Sequence, residues 1–399
     1  MGRDENIQKI IASQLDTRFF PLKIRPGWRV LVMQQPDSGF LDILFTWNHP
    51  HADGMSGKIF HELLLEALSQ LKGDRSQDDK DSVLAFRDSS GNFPPPIEKV
   101  ARLPVEPLFV LKEAWHEYKP ASILPRATQA NWAPIRTHPY KTRFQTMSIP
   151  HSVFSKVLIA CHDRETTLTG LLNSLVLTSL AAHIKAKEAS AFASSTAIDQ
   201  RRFVPSHPHA YEWLDPTGTI GNYVSIMTHE FDSILVAKLR SKLESGPTGG
   251  DLSSELLDHV WSTATQHVCG GEIAKRLEMG LHNDVLGLAR FVLNWKKQFL
   301  RDVKKPRKLS WFVTNLGVFD GKPMKNTASP GNAATEWRIR RAQFTLSTEI
   351  PVAALLLGVS SVKHQELVVT CTWQDTVVEE SLVDGLLMDM KKWLVQIGN

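Results

Sequence analysis

The sharpest change of rhythm along this chain falls between residues 41 and 71. Leu41, Ile43, Phe45 and Trp47 alternate with Asp42, Leu44, Thr46 and Asn48, the period of two that marks a strand. Ile59, Phe60, Leu63, Leu64, Ala67, Leu68 and Leu71 then recur at helical spacing. Residues 29–33 read as an earlier strand, and Pro36, Asp37, Ser38 and Gly39 supply a turn, so the two strands form an antiparallel hairpin. Between hairpin and helix stand His49, Pro50, His51, Ala52, Asp53 and Gly54. A strand fixes the backbone on one side of them, and a loop leaves their side chains reachable.

The pattern continues as a mixture of helix and strand in both halves. A short helix is expected around Ile7 to Leu15, another over residues 107–118, and none near Pro94, Pro95 and Pro96. Pro120, Pro125, Pro134 and Pro139 interrupt a stretch with few periodic apolar positions, which reads as an interdomain linker. The expected division is a first domain over residues 1–125, a linker over 126–140 and a second domain over 141–399. In the second part, strands are expected at 142–150, 195–199, 221–227, 310–314 and 367–373. Helices are expected at 168–184, capped by Thr166 or Thr167, and at 234–243, 252–269, 283–299 and 379–396. This order lacks the regular strand–helix alternation of a doubly wound parallel sheet, so the class is α/β of the α+β type.

Composition narrows the function classes. At 399 residues the chain exceeds one ordinary core, which agrees with two domains. No apolar run is long enough to cross a bilayer, and the charged start around Arg3, Asp4 and Glu5 lacks a secretory apolar segment, so a cytoplasmic protein is expected. Cys161, Cys269 and Cys371 are too far apart and too few for a disulfide framework or a metal cluster. A net charge of +4 is too small to argue for nucleic acid.

The candidate chemistry therefore rests on residues 49–54. An imidazole at a strand end suits proton transfer near neutral pH. The same residues, as His49-x-His51-x-Asp53, also open a zinc-ligand pattern, but Gly54 stands where a further ligand is needed and only His116 lies at a plausible distance. A strand-end histidine can also do no more than satisfy a buried carbonyl.

In this setting H-x-x-x-D-G resembles the active-site motif of the acyl-CoA-dependent acyltransferases built like chloramphenicol acetyltransferase. Residues 47–61 are most similar to the fungal alcohol and trichothecene acetyltransferase branch. Asn48 stands where many members carry the first of two histidines, and the second maps onto His49. Further likenesses are Ala197-Ile198-Asp199-Gln200-Arg201-Arg202, Gly221-Asn222-Tyr223-Val224, Thr314-Asn315-Leu316-Gly317-Val318-Phe319 and the strand ending at Trp373-Gln374-Asp375 before the last helix. Together they extend the resemblance over residues 27–399. Members usually carry another strand and helix ahead of the segment like residues 20–29, where one short helix is expected here.

The resemblance implies two similar domains with mixed sheets and an active-site channel between them. It implies transfer of an acetyl (acyl) group from acetyl-CoA to a hydroxyl or amine of a small molecule, a secondary metabolite, by a monomer with no permanently bound cofactor. His49 would be the general base, and Asn315, or Thr314, the oxyanion donor. Asp53, counted with them in the catalytic set, would pair with Arg201, with Arg202 as its alternative, and Gly54 would permit the turn. No metal is expected and no coenzyme-binding residue is assigned, although Lys304-Lys305-Pro306-Arg307-Lys308 and Arg338, Arg340 and Arg341 could meet phosphates. A metallohydrolase, or a catalytically idle relative that binds a hydrophobic metabolite, are the other readings.

Overall fold

The computed structural model describes residues 3–34, 39–70, 93–118, 127–244, 250–322, 337–348 and 350–399. Helix α1 (Arg3–Asp16) leads into β1 (Trp28–Gln34) and β2 (Leu41–Trp47). The two strands pair antiparallel, from Trp28 opposite Trp47 to Gln34 opposite Leu41. Of the expected turn, residues 36–38 lie outside the described residues. Helix α2 (Gly54–Gln70) follows and buries Ile59 and Leu65, while Phe60 stacks on Phe45 of β2 at 4.0 Å between ring centroids. Helices α3 (Ile97–Val100) and α4 (Pro107–Tyr118) complete the first half.

The second half is built on a six-stranded mixed sheet. Its strands are β3 (Thr142–Ile149), β4 (Phe192–Asp199), β5 (Val224–Phe231), β6 (Leu309–Phe319), β7 (Ala353–Val362) and β8 (Leu367–Gln374), in the order β3-β8-β7-β6-β4-β5. β6 runs parallel to both β4 and β7, and the other neighbours are antiparallel. Helices α5 (His151–Asp163), α6 (Leu168–His183), α7 (Ser233–Glu244), α8 (Ser254–Ser262), α9 (Ala274–Met279), α10 (Trp295–Asp302) and α11 (Glu380–Ile397) pack around it. The main core joins α5, α6, α8 and α11 to the sheet.

Helix α6 is apolar nearly all round because it is covered on all sides, the usual fate of such a helix. Thr167 caps it by accepting from the Gly170 N–H at 3.2 Å. Its buried polar side chains are all satisfied. The Asn173 Oδ1 accepts from Ser194 Oγ and Trp311 Nε1, both at 2.9 Å, and Ser174 Oγ donates to the Val260 carbonyl at 2.7 Å.

Several elements differ from the pattern-based expectation. β7 was not expected: all ten of its residues are buried, so the alternation that announces a half-exposed strand is missing. The helix expected over 252–269 stops being α-helical at Ser262 and continues as a π-helix over Thr263–Ile273. The one expected over 283–299 is broken. A 3-10 turn over Val285–Phe291 ends, and Asn294 starts α10 by accepting from the Lys297 N–H at 2.8 Å. Of the expected linker over 126–140, residue 126 lies outside the described residues, and 127–140 are stitched to the second sheet. There Arg307 Nε donates to the Ala133 carbonyl at 2.8 Å, and Gln374 Nε2 to those of Arg136 and Pro139.

A stretch from Trp337 to Thr348 lies over the face of the second sheet that looks toward the hairpin. Ser360 Oγ donates to the Ala342 carbonyl at 2.9 Å, and the Thr348 N–H to Thr142 Oγ1 at 3.3 Å. Gly358 lets this stretch approach: a Cβ there would sit 2.2 Å from the Phe344 carbonyl oxygen. Phe344 in turn stacks on Trp47 of β2, ring planes 8° apart and centroids at 6.3 Å. The two halves thus meet beside the end of β2.

Candidate active site at the strand-to-helix turn

β2 ends at Trp47, and the chain turns at once. The Asn48 N–H donates to the Gly27 carbonyl at 2.7 Å, and the His51 N–H to the Asn48 carbonyl at 2.9 Å. The His49 carbonyl accepts from Asn222 Nδ2 of the second half at 2.9 Å, which leaves the imidazole exposed. His51 turns the other way and lays its ring over Gly27, where a Cβ would come within 2.7 Å of Nδ1. The two histidines do not share a site.

Asp53 ends the turn as the N-cap of α2. Its Oδ1 accepts from the Ser56 N–H at 2.9 Å and from Ser56 Oγ at 2.8 Å. The same carboxylate meets Arg201 in a two-pronged pair, Nη1 to Oδ2 at 2.7 Å and Nη2 to Oδ1 at 3.0 Å, and Oδ2 also accepts from the Tyr223 N–H at 2.8 Å. Both side chains are about 97% or more buried, with 3% of Arg201 and 2% of Asp53 exposed. Burial alone would lower the Arg201 pKa, but Asp53 and then Asp199 raise it above its ordinary value. Arg201 further donates to the Thr219 and Gly221 carbonyls. Arg202, the alternative partner, is exposed. The pair therefore ties the turn of the first half to β4 and the segment before β5.

His49 lies on the wall of a cavity of about 670 Å³ between the halves. α2 lines it with Gly54, Gly57 and His61, three residues on one helical face, and β2 with Phe45 and Trp47. The opposite wall comes from Leu316 and Phe319 of β6 and from residues 343–348, and α1 with residues 17–19 closes a side. Both α2 glycines are closely packed against side chains. A Cβ at Gly54 would sit 2.7 Å from Leu316 Cδ2, and one at Gly57 2.6 Å from the Trp47 ring.

Asn315 does not line this cavity. Its Nδ2 donates to Thr169 Oγ1 at 3.2 Å and its Oδ1 accepts from the Gly317 N–H at 2.8 Å. These bonds shape a bulge in the β6–β7 register between Asn315 and Val318, with Gly317 at φ +72°. The bulge sets Leu316 against Gly54. Thr314 is buried and its hydroxyl has no partner among the described residues.

None of the residues of the basic clusters lines the cavity. Arg307 is buried and donates to the carbonyls of Ala133, Ile350 and Ala353, and burial lowers its pKa to about 10. Lys305 and Lys308 hold Glu117, and Arg341 holds Glu366. With Asp53 held by Arg201 and His51 over Gly27, the zinc pattern is not assembled. Among the described residues no three His, Cys, Asp or Glu side chains group as a metal site.

Pattern reading passed over Ser56, Asn222 and His61. Ser56 was legible as the third residue after an N-capping Asp53, and Asn222 stood in a noted segment without a role. His61 hid among the apolar positions of α2. Burial lowers its pKa from 6.5 to about 4, so the ring that faces the cavity is neutral at neutral pH. The unfolded chain takes up this proton first, so stability is lost as pH falls from about 6.5 toward 4. His61→Phe is expected to flatten that limb of a melting-temperature profile. An unchanged limb would show that His61 does not titrate there.

Comparison with known proteins bears on the fold and the family. A "probable alcohol acetyltransferase" of Fusarium pseudograminearum is 26% identical over 390 residues, covering 95% of this chain and 73% of that protein. One of Aspergillus fumigatus is 21% identical over 374 residues, covering 92% and 72%. Among solved structures, the trichothecene 15-O-acetyltransferase of Fusarium sporotrichioides superposes with a TM-score of 0.69 at 15% identity, over 98% of this chain and 73% of its own. The first condensation domain of the calcium-dependent antibiotic synthetase reaches 0.55 at 11% identity, over 99% and 72%. These structures share the fold of chloramphenicol acetyltransferase-like enzymes, with two similar domains. The sequence model of the alcohol acetyltransferase family matches residues 3–231, more than half the chain, and the chain belongs to that family of acetyltransferases.

Proposed function

We propose that this protein transfers an acetyl (acyl) group from acetyl-CoA to a hydroxyl of a small molecule held in the cavity between its halves, with His49 as the general base. The observation that carries the reading is the placement of His49: exposed on the cavity wall, its backbone held from both halves, with Asp53 turned away into a buried ion pair. A hydroxyl is a poor nucleophile at neutral pH. As it attacks the thioester carbonyl, the His49 imidazole takes its proton, and the thiolate of coenzyme A leaves and is protonated in turn. No covalent acyl-enzyme is required.

Asp53 and Arg201 support the site by fixing its shape. Asn315 was expected as the oxyanion donor; its bonds support instead a role in shaping the bulge that sets Leu316 on the cavity wall. The lining of Phe45, Trp47, Phe319 and Phe344 favours a largely apolar acceptor such as a secondary metabolite. Domain boundaries at 1–125 and 141–399, a monomeric state and a cytoplasmic location complete the proposal. Among the described residues no helix is long and apolar enough to cross a membrane.

The test is thiol release from acetyl-CoA in the presence of apolar alcohols and the matching amines. Release that depends on an alcohol supports the reading, and release with amines alone moves it to N-transfer. A catalytically idle binder would bind an apolar alcohol and release no thiol with any acceptor.

A further inference from the structure

Helix α4 buries none of its residues. Leu108, Leu111, Trp115 and Tyr118 follow one another at spacings of three and four and form one stripe, and each is between 60% and 75% exposed. The docked side of α4 carries Glu117, and Arg301 also lies over the Tyr118 ring at 4.4 Å, so Tyr118 stands at the edge of the stripe. Glu117 lies nine residues past Leu108, about two and a half helical turns and so on the far face. Its carboxylate meets Arg301 at 3.0 Å and Lys308 at 2.6 Å, and Lys305 at 2.5 Å. Anchored by this carboxylate to the cations of α10 and the segment after it, α4 turns its apolar stripe to solvent.

The neighbouring helix does the same. On α10, Trp295, Phe299 and Leu300 are 50–55% exposed, and Leu293 just before it is 99% exposed. Residues 295–308 carry seven basic side chains and one acidic. Arg301, Lys305 and Lys308 hold Glu117 and Arg307 is buried, so Lys296, Lys297 and Lys304 remain exposed, with Lys112 beside the stripe of α4.

We infer that α4 and α10 form a docking face for the surface of an anionic phospholipid bilayer. On each of the two helices, exposed apolar and aromatic side chains with lysines beside them are the pattern of a helix that lies in the headgroup region. Trp and Tyr favour that depth because one end of each ring is apolar and the other polar. A protein partner fits less well, because lysine is depleted from the cores of protein interfaces. At 12 residues α4 is too short to span a membrane, so it lies on the surface.

The test is co-sedimentation of the full chain with vesicles of phosphatidylcholine alone or with 30 mol% phosphatidylserine, and needs no catalytic activity. The wild-type chain is expected to partition onto the anionic vesicles, less at high salt, with a blue shift of tryptophan emission. Lys296→Ala with Lys297→Ala is expected to weaken partitioning by about 25-fold, roughly fivefold per lysine. Leu111→Ser with Trp115→Ser is expected to weaken it by roughly tenfold or more. All four side chains are exposed, so melting temperatures should not change, which separates lost docking from lost folding. Absence of binding to the anionic vesicles, or binding that survives Leu111→Ser with Trp115→Ser, overturns the proposal. So does a dimer that these substitutions dissolve and vesicles do not displace, for the stripe would then belong to a second copy of this chain.

Discussion

Replacing His49 with alanine is expected to lower acyl transfer by about 10²–10⁴-fold, the usual cost of losing a general base. The fold should be indifferent to the change. The imidazole is exposed, and the bond that positions the residue, from Asn222 Nδ2 to the His49 carbonyl, uses only the backbone. Melting temperature and retention of coenzyme A should therefore stay near wild type while thiol release falls. His51→Ala is the control. Its ring packs over Gly27 and takes no part in the cavity wall, so turnover should change little. Asn222→Ala should sit between the two, because it frees the His49 backbone without removing the imidazole. A His49→Ala enzyme that keeps wild-type turnover would end the general-base reading, and equal loss at His49 and His51 would point to a shared role that this geometry does not contain.

The hairpin, the turn and α2 were legible because a half-exposed strand and an amphipathic helix write different periods into the sequence. Helix α4 was legible too, although its stripe faces solvent: periodicity reports amphipathicity, not which side is covered. β7 was not legible, because a strand buried on both faces shows an apolar run with no alternation. The cavity wall between residues 343 and 348 was invisible for another reason. It is an extended stretch held by single bonds such as that from Ser360 Oγ to the Ala342 carbonyl, and no local period encodes a partner 18 residues away. His49 and Asp53 could be picked out by residue type and spacing. That Asp53 also caps α2 explains why it cannot orient His49: both carboxylate oxygens point into the helix start and the second half.

The same geometry predicts an asymmetric double-mutant cycle at Asp53 and Arg201. Asp53→Asn keeps a good N-cap for α2 but removes the charge, and one buried donor among Arg201, Ser56 and Tyr223 loses its acceptor. Arg201 retains a second carboxylate, Asp199 at 3.0 Å, so it is not stranded. Arg201→Met is the harsher change. It leaves Asp53 buried with no cation and takes a donor from the Thr219 and Gly221 carbonyls, a loss on the order of 3–5 kcal/mol for breaking such a pair. The double variant is expected to be less damaging than the two losses added, because no charge is then left alone in the interior. Stability and turnover should fall together in each variant, since the pair joins the turn carrying His49 to the second half. If Asp53→Asn instead reduces turnover at an unchanged melting temperature, and Arg201→Met shows no coupling with it, Asp53 acts on the chemistry directly. Melting and thiol release measured across the four proteins decide between the two, and the five bonds converging on the Asp53 carboxylate favour the coupled outcome.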